Sequence, residues 1–300
     1  MRLALDVSGH AVPIPGLVAL GAGVGFVAGI FGIGGGFLLT PLLTVVFGIP
    51  LPIAIGSGLC QMTGTGTSAL LRHRAIGQGE IRFDVLMLAG SLLGVDAGAR
   101  TVSYLAAAGF VSLAGHRVTV LRIVIEGAYA VLLLGIASLF WRQSRGRADD
   151  LEYVRGGPLA RVALGPRVDL PSVPLRGVSA ILIAEIGLAM GFLSGVLGIG
   201  GGVALMPVLI YGFGFPIRQA SGTGIVVLIA TAALGTFEHA LRGNVDLRLS
   251  MVLLVGASVS AQFGALLTHR LEAMTLRRVF AAVVLATVVA VAWDLAASVG

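Results

Sequence analysis

Lysine is absent from this sequence, so its 20 basic residues are all arginines, and only 11% of its 300 residues are charged. A soluble domain carries about 25% charged residues. A protein with so few charged residues would have too apolar a surface to be soluble in water, which excludes an ordinary soluble domain. The hydrophobic share of 57% and the mean hydropathy of +1.00 indicate instead a protein that has lipid as its main solvent.

Residues that hold metals or nucleic acids are scarce or badly spaced. Cys60 is the single cysteine, which excludes an intrachain disulfide and a multi-cysteine metal site. The five histidines lack the His-x-x-x-His spacing of a helical zinc site, so we expect no metal and no cofactor. The arginines behind the net charge of +6 cluster between apolar runs, as topological anchors do. They form no basic stripe for a nucleic acid.

The apolar residues gather into about eight hydrophobic regions, and a helix needs about 20 apolar residues to cross a bilayer. The regions lie at 16–47, 51–71, 83–111, 120–141, 177–213, 217–240, 248–269 and 277–298. An Arg-, Gly- and Pro-rich segment, 142–176, separates the fourth region from the fifth and is typical of a linker. The sequence therefore predicts an all-α integral membrane protein.

The parts on either side of this segment repeat one another. At a shift of 166 positions (239 − 73), His73 matches His239, and GIFGIGGGFLLTP at 29–41 matches GVLGIGGGVALMP at 195–207. We interpret them as two homologous halves, a plan typical of secondary transporters with a substrate site between the halves. The expected units are a first membrane repeat at 1–141, a cytoplasmic linker at 142–176 and a second membrane repeat at 177–300.

Two topologies fit this pattern. If each region crosses the membrane once, the halves are parallel repeats. If the first region of each half is a re-entrant hairpin, each half crosses three times and the halves are inverted repeats. The arginines concentrate on the linker side in both cases, which places the linker in the cytoplasm. Region 16–47 is too long for one straight helix across a core of about 30 Å, so we expect a break in it.

The glycine clusters in regions 16–47 and 177–213 admit three interpretations. A nucleotide-binding loop is unsupported, because no Lys-Ser/Thr follows GIGGG and no acidic residue follows at the dinucleotide spacing. Close helix packing is the second, since small residues let membrane helices approach. The third is an unwound point, with Pro41 and Pro207 in the first turn of a restarting helix. Such helix N-termini attract anions, and two copies predict two half-sites that face one centre.

The predicted substrate-binding residues combine these clusters with the polar helix that follows each of them. Ser57, Gln61 and Thr65 recur every four residues and share one helix face, although serine and threonine hydroxyls also bond to their own helix. The predicted set is Gly34, Gly35, Gly36, Ser57, Gln61, Thr65, Gly200, Gly201, Gly202, Ser221 and Thr223.

Ionisable residues inside or beside the apolar regions form a second group, because such residues are costly in lipid and often functional. Asp96 and Arg100 are four apart and can pair. RHR and EHALR end the second region of each half, as interfacial anchors or as a basic mouth that concentrates anions. The candidates for coupling or for this mouth are Arg72, His73, Asp96, Arg100, Glu238 and His239. For the acids Glu126 and Asp294, a structural role is the first interpretation.

GFVAGIFGIGGGFLLTPLL and its partner GFLSGVLGIGGGVALMPVL, each followed by a Gly-Pro bend and a Ser/Thr-Gly-rich helix, resemble the sulfite exporter TauE/SafE family. The resemblance implies a carrier for small sulfur-containing anions such as sulfite, sulfoacetate or other organosulfonates. Its path would be lined by the glycine clusters and the helices after them.

We therefore expect a multi-pass secondary transporter in the inner (plasma) membrane of a bacterium, with proton coupling. It is not expected to be an enzyme, since no nucleophile or metal arrangement is present. A passive anion channel is the alternative. The expected partners are a small anion and the lipid bilayer, with no nucleic acid, and a homo-oligomer is left open.

Overall fold

The computed structural model describes residues 4–7, 9–31, 34–75, 80–113, 116–143, 156–173, 175–268 and 273–299. These residues are mostly helical. The α-helices are α1 Ile14–Phe31, α2 Gly36–Phe47, α3 Leu51–Ala75, α4 Ile81–Ala107, α5 Val120–Gln143, α6 Ala180–Leu197, α7 Gly202–Pro207, α8 Ile217–Leu241, α9 Leu247–Thr268 and α10 Ala273–Val299. A π-helix, Val208–Phe213, continues α7, and a short 3₁₀ helix spans Leu159–Arg161.

Five helical segments are long and apolar enough to cross a membrane, within the part of the chain that was described. They are Ile81–Ala107, Val120–Leu139, Ala180–Leu197, Gly222–Leu241 and Leu247–Gly264. Four shorter apolar segments accompany them: Ile14–Ile30, Gly36–Phe47, Gly202–Phe213 and Ala281–Trp293. The chain is therefore a multi-pass helical membrane protein.

The all-α prediction is incomplete, because three antiparallel hairpins join the helices. They pair β1 Ala4–Val7 with β2 His10–Pro13, β3 Phe110–Leu113 with β4 His116–Thr119, and β5 Arg167–Leu170 with β6 Leu175–Ser179. In the first hairpin, the Gly9 N–H donates to Asp6 Oδ1 over 3.0 Å, the local bond that Asp makes in turns. These strands have only four or five residues, which is too short to give a signal in an apolar-run analysis.

The chain turns back on itself at the first glycine cluster. A Cβ placed on Gly35, at the start of α2, would lie 2.8 Å from Val24 and 3.0 Å from Ala28 of α1. Phe47, at the end of α2, lies 3.2 Å from the Cβ position of Gly16, at the start of α1. Helix α2 thus runs antiparallel to α1, which is the break expected in region 16–47. Its first six residues are all buried, so the start of α2 lies inside the protein.

Glycine-to-carbonyl contacts join α1 to α9 and α4 to α6. Cβ atoms on Gly21, Gly25 and Gly29 would overlap or crowd the carbonyl oxygens of Leu253, Ala257 and Ala261. In the second pair, Gly90, Gly94 and Gly98 stand in the same relation to Ala184, Leu188 and Phe192. Residue numbers rise together along both pairs, so each pair is parallel. Backbones can approach this closely only where side chains are missing.

Helices α3 and α8 pack side by side in opposite directions. Leu59, early in α3, lies 2.8 Å from the Cβ position of Gly235, late in α8, and Ile229 lies 2.8 Å from that of Gly66. Helix α5 packs against α10. The buried core runs through the α3–α8 contact, with Leu59, Met62 and Leu228 among its members.

Residues in the range predicted as linker fold onto the helices. Glu80, directly before α4, accepts a hydrogen bond from the Ser172 N–H over 2.6 Å. Arg82 donates to the Asp169 carbonyl over 3.2 Å, and the Gly157 N–H donates to the Phe213 carbonyl over 2.9 Å. The β5–β6 hairpin therefore covers the end of the molecule where α4 and α8 begin. The range 144–155 lies outside the described residues.

Candidate functional site

Two glycine turns interrupt the helices, one between α1 and α2 and one between α6 and α7. Gly34 and Gly35 have φ angles of 81° and 67°, and Gly200 and Gly201 have φ angles of 64° and 74°. An L side chain is strained at these angles, which explains the glycines. Among the described residues, no side chain caps the N-terminus of α2 or α7. The backbone dipoles at both N-termini therefore present partial positive charge.

The two turns lie against each other. A Cβ placed on Gly36 would stand 2.8 Å from the Gly198 carbonyl oxygen, and one on Gly198 would stand 3.0 Å from Thr40 Oγ1 of α2. Gly36 and Gly198 belong to the predicted clusters from the two halves of the sequence. The structure thus brings the clusters together, with the N-termini of α2 and α7 at their junction.

Met62 and Leu228 fill the space between the turns, and the sequence did not single out either residue. Met62 Cε lies 3.0 Å from the Cβ positions of Gly34 and Gly36 and also contacts that of Gly200. Leu228 contacts the Cβ positions of Gly34 and Gly200. Both side chains are almost fully buried. The centre is therefore closed by apolar atoms, and an anion can enter only if these side chains move.

The predicted Ser57–Gln61–Thr65 face divides into three environments. Ser57 Oγ accepts the Asp246 N–H over 2.9 Å, so it binds the loop before α9. Thr65 Oγ1 donates to the carbonyls of Gln61 and Met62 in its own helix, over 3.3 and 3.2 Å. Gln61 is 3% exposed, and its Oε1 has no hydrogen-bond partner among the described residues.

Thr223 mirrors Ser57 at the other end of the molecule. Its Oγ1 accepts the Glu80 N–H over 3.1 Å. Because α3 and α8 are antiparallel, Ser57 and Thr223 lie at opposite ends of that helix pair. The side chain of Ser221 lies outside the described residues. Gln61 is the predicted polar residue next in sequence to Met62, and Met62 contacts both glycine turns.

Three side chains satisfy carbonyl groups at and after the end of α6. Tyr129 of α5 donates its hydroxyl to the Leu197 carbonyl over 2.6 Å, and Thr231 Oγ1 donates to that of Gly200 over 3.2 Å. His239 Nε2 lies 3.0 Å from the Gly195 carbonyl. That contact requires a proton on Nε2, and His239 Nδ1 has no partner within the described structure. The predicted residue His239 is thus buried against α6 and does not face a water-filled mouth.

Four predicted or neighbouring charges form one chain of ion pairs between α4 and α8. Arg100 donates to Asp96 over 3.0 Å, and Arg242 donates to Glu238 over 2.6 Å. Arg242 also reaches Asp96 at 3.9 Å. Two positive and two negative charges cancel, so this cluster attracts anions only where a pair opens. The helix α3 includes Arg72 and His73, but their side chains lie outside the described residues.

The internal repeat could have drawn attention to the site residues that the sequence analysis did not single out. A shift of 166 positions pairs Met62 with Leu228 (228 − 62) and Thr65 with Thr231 (231 − 65). If the repeat alignment is continued from the glycine motifs into α3 and α8, it identifies these two pairs as matching positions of the two halves. Across the described residues, no group of three or more His, Cys, Asp or Glu side chains could hold a metal ion.

The helical spans, the doubled-back helix pair and the paired glycine turns define a multi-pass membrane protein with a closed internal junction. Residues 17–291 match the family described as Sulfite exporter TauE/SafE. The chain belongs to this family, which confirms the resemblance carried by the glycine motifs. It is a membrane transporter and not an enzyme.

Curated relatives agree with this class. A "Probable membrane transporter protein" of Xylella fastidiosa (strain Temecula1) is 28% identical over 92% of this chain and 95% of the relative. The "Probable membrane transporter protein YjnA" of Bacillus subtilis (strain 168) is 27% identical over 90% and 96%. The "Probable membrane transporter protein MJ0441" of Methanocaldococcus jannaschii is 22% identical over 88% and 90%. No solved structure matches.

Proposed function

We propose that this chain is a secondary transporter that moves a small sulfur-containing anion, such as sulfite, sulfoacetate or another organosulfonate, across the inner membrane of a bacterium. The observation that carries the proposal is the contact between the turns at Gly36 and Gly198. Near this contact lie two uncapped helix N-termini. Their free N–H groups and dipoles favour a bound anion, such as the oxygen atoms of a sulfonate or of sulfite. Membership in the sulfite exporter TauE/SafE family supports the choice of sulfur oxyanions.

The proposed anion site consists of the backbone at Gly34–Gly36 and Gly200–Gly202 with the amide of Gln61. Gln61 supports this assignment because it is a buried polar side chain whose Oε1 lacks a partner in the described structure, next in sequence to Met62. Ser57 and Thr223 hold backbone segments at opposite ends of the α3–α8 pair and are not assigned to the anion site. Met62 and Leu228 close the site in the state described here, and transport requires them to move apart.

We further propose that 1–141 and 177–300 are homologous membrane repeats in inverted orientation, joined by the linker 142–176. Helix bounds support the repeat, because α6 and α8 begin 166 positions after α1 and α3 (180 against 14 and 217 against 51). Helix directions support the inversion. In parallel repeats α3 and α8 would be parallel, whereas they are antiparallel, and α1 and α2 form a hairpin.

The apolar contact of Met62 and Leu228 with both glycine turns favours a carrier over a channel, since these side chains must move before an anion can reach the turns. A carrier opens to one side at a time. The proton gradient is the proposed driving force. A flux that ignores an imposed pH gradient yet follows voltage would instead indicate the passive anion channel.

Purified protein in liposomes provides the test. Wild-type protein should exchange labelled sulfite or a sulfonate across the bilayer. Gln61→Ala and Gly201→Leu, checked for folding by size-exclusion chromatography, should each reduce the rate at least tenfold. Gly243→Ala serves as a matched control, because its φ of +72° strains the backbone similarly but no atom lies within 4 Å of its Cβ position. Wild-type rates in both site variants would refute the site, and no flux of any sulfur anion in wild-type protein would refute the function.

A further inference from the structure

A buried acid outside the proposed anion site lies within the apolar helix α5. Glu126 falls in the candidate span Val120–Leu139 and is only 5% exposed. Arg122, one turn earlier, donates from Nε to Glu126 Oε1 over 2.9 Å, and its side chain is 30% exposed. The pair therefore has a buried carboxylate and a partly exposed guanidinium. Acids held at such depth are costly, and they recur along proton and ion paths.

Glu126 borders a small cavity between α5 and α2. The cavity holds about 10 Å³, close to the minimum that one water molecule needs. Its polar wall consists of Glu126, Tyr129, Thr40 and Thr44. Glu126 thus shares this cavity with the hydroxyl-bearing residues Tyr129, Thr40 and Thr44.

The far side of this cavity reaches the second glycine turn. Tyr129 donates to the carbonyl of Leu197, the last residue of α6. Thr40 Oγ1 lies 3.0 Å from the Cβ position of Gly198, the next residue. Tyr129 and Thr40 thus touch both the cavity and the turn. A change of charge at Glu126 has a direct physical route to the backbone that binds the anion in our proposal.

We propose that Glu126 is the proton-binding residue of the transport cycle. The inference rests on the proposed function and names its coupling group. A proton from water at the Arg122 end binds the Glu126 carboxylate, and Arg122 is released from its pair. The proton leaves from the same carboxyl group after the junction has opened to the other face. Coupling then follows, because Tyr129 and Thr40 join the cavity to the turn that holds the anion.

Glu126 has ionisable neighbours on its own helix and uncharged residues along the cavity wall. Arg122 and Tyr129 are the ionisable groups that face it from α5. From α2 the cavity wall is formed by Thr40, Pro41, Thr44 and Val45, from α3 by Leu51 and from α10 by Val291. Among the described residues of the wall, those from these neighbouring helices carry no charge. The side chain of Asp294, on α10, lies outside the described residues. The second half lacks the same route, because a shift of 166 positions replaces Thr40 by Met206.

Glu126→Gln in liposomes tests the assignment, since glutamine keeps the shape and removes the titration. Anion exchange without a gradient should stay within about twofold of wild type. Acceleration by an imposed pH gradient should fall at least tenfold. Glu185→Gln is the matched control, because Glu185 is an exposed acid on another membrane helix, α6, and its response to the gradient should not change. A normal gradient response in Glu126→Gln, or an equal loss in both variants, would overturn the proposal.

A second readout does not depend on transport. Infrared difference spectra between acid and neutral pH should show a protonated-carboxyl band in wild-type protein that is missing in Glu126→Gln and present in Glu185→Gln. If no anion is transported but this band behaves as expected, the proposed function fails while Glu126 still binds a proton. If the band survives in Glu126→Gln, the coupling assignment fails. Thr40→Val keeps the carboxyl group and should retain the band while weakening the gradient response.

Discussion

Met62 and Leu228 stand 166 positions apart (228 − 62) and close on the same glycine. Both side chains reach within 3.0 Å of the point where a Cβ on Gly34 would stand. They come from α3 and α8, one helix from each half. The apolar barrier at the junction is therefore shared between the halves, and a movement of either helix would open it.

Truncation of this barrier should cause leakage. Met62→Ala removes the atoms that contact both turns, so small anions such as chloride should pass at a measurable rate in liposomes. The truncation should also cost about 2–5 kcal/mol of stability, as is usual for a buried methionine. Met87→Ala is the control, because Met87 is equally buried but lies at the α4–α6 contact. Equal leakage through both variants would contradict the barrier assignment.

The glycine contacts between α1 and α9 predict a contrast between two neighbouring substitutions. A Cβ on Gly25 would clash with Ala257, at 2.4 Å from its Cα and 2.5 Å from its carbonyl oxygen. In contrast, no atom lies within 4 Å of the Cβ position of Gly23. Alanine is favoured over glycine in a helix by about 1 kcal/mol. Gly23→Ala should therefore hold or raise the melting temperature in detergent, and Gly25→Ala should lower it by several degrees. Similar melting temperatures would mean that the helices are not in contact there.

Loss of the Ser57 hydroxyl should weaken the protein without weakening anion binding. Ser57→Ala leaves the part-buried Asp246 N–H without its acceptor, which costs up to about 1–3 kcal/mol. Thr67→Val is the control, because the Thr67 hydroxyl is exposed and bonds only to its own helix at the Thr63 carbonyl. Thermal melting and the anion concentration at half-maximal flux are the two measurements. A large rise in that concentration would restore Ser57 as a direct anion ligand.

The ion-pair chain between α4 and α8 predicts a dependence on salt. Asp96→Asn frees Arg100, whose side chain is 72% exposed, and leaves a net positive charge at this end. Initial anion flux should rise two- to threefold at low ionic strength and return to the wild-type value as salt screens the charge. Asp169→Asn, an exposed acid on β5 at the other end, is the control. A salt response equal to that of wild type would mean that this cluster does not guide anions.

Tags should report opposite faces for the N-terminus and the linker. The β1–β2 hairpin and the 243–248 loop share one end of the molecule, with Asp6 and Asp246 in the same surface pocket. The β5–β6 hairpin covers the end where α4 begins. An epitope before β1 should therefore be accessible from outside the cell, and one within 144–155 only after permeabilisation. Accessibility of both from the same face would support the topology with single crossings.

Much of the helical fold follows from the sequence. Long apolar runs fix where the helices lie, and the predicted break in region 16–47 appears at Gly34 and Gly35, whose φ angles are positive. The hairpins were missed because four-residue strands such as Ala4–Val7 carry no long periodic signal. The pairing of α1 with α9 was missed for another reason. Glycines at 21, 25 and 29 indicate a close contact but do not name the partner helix.

The site was predictable only in its backbone part. Glycine alone adopts the positive φ angles of these turns readily, so the turns could be placed from the glycine motifs. The prediction for the prolines was wrong, because Pro41 and Pro207 are each the sixth residue of their helix and do not lie in its first turn. Met62 and Leu228 are two apolar residues among many, and only their position relative to the turns distinguishes them. Arg242 is a similar case. As one arginine of EHALR it resembles an interfacial anchor, and its link to Asp96 depends on how α8 lies against α4.

The parallel contact of α1 with α9 has a consequence for how the protein is made. Gly21 meets the carbonyl of Leu253, so α1 leaves the ribosome 232 residues (253 − 21) ahead of its partner. At about 5–20 residues per second, that is a wait of roughly ten to fifty seconds. During that wait the bare glycine stripe of α1 faces lipid or the insertion machinery. A chain stopped after the fourth long apolar region would keep this stripe uncovered, which makes it a natural target for membrane quality control.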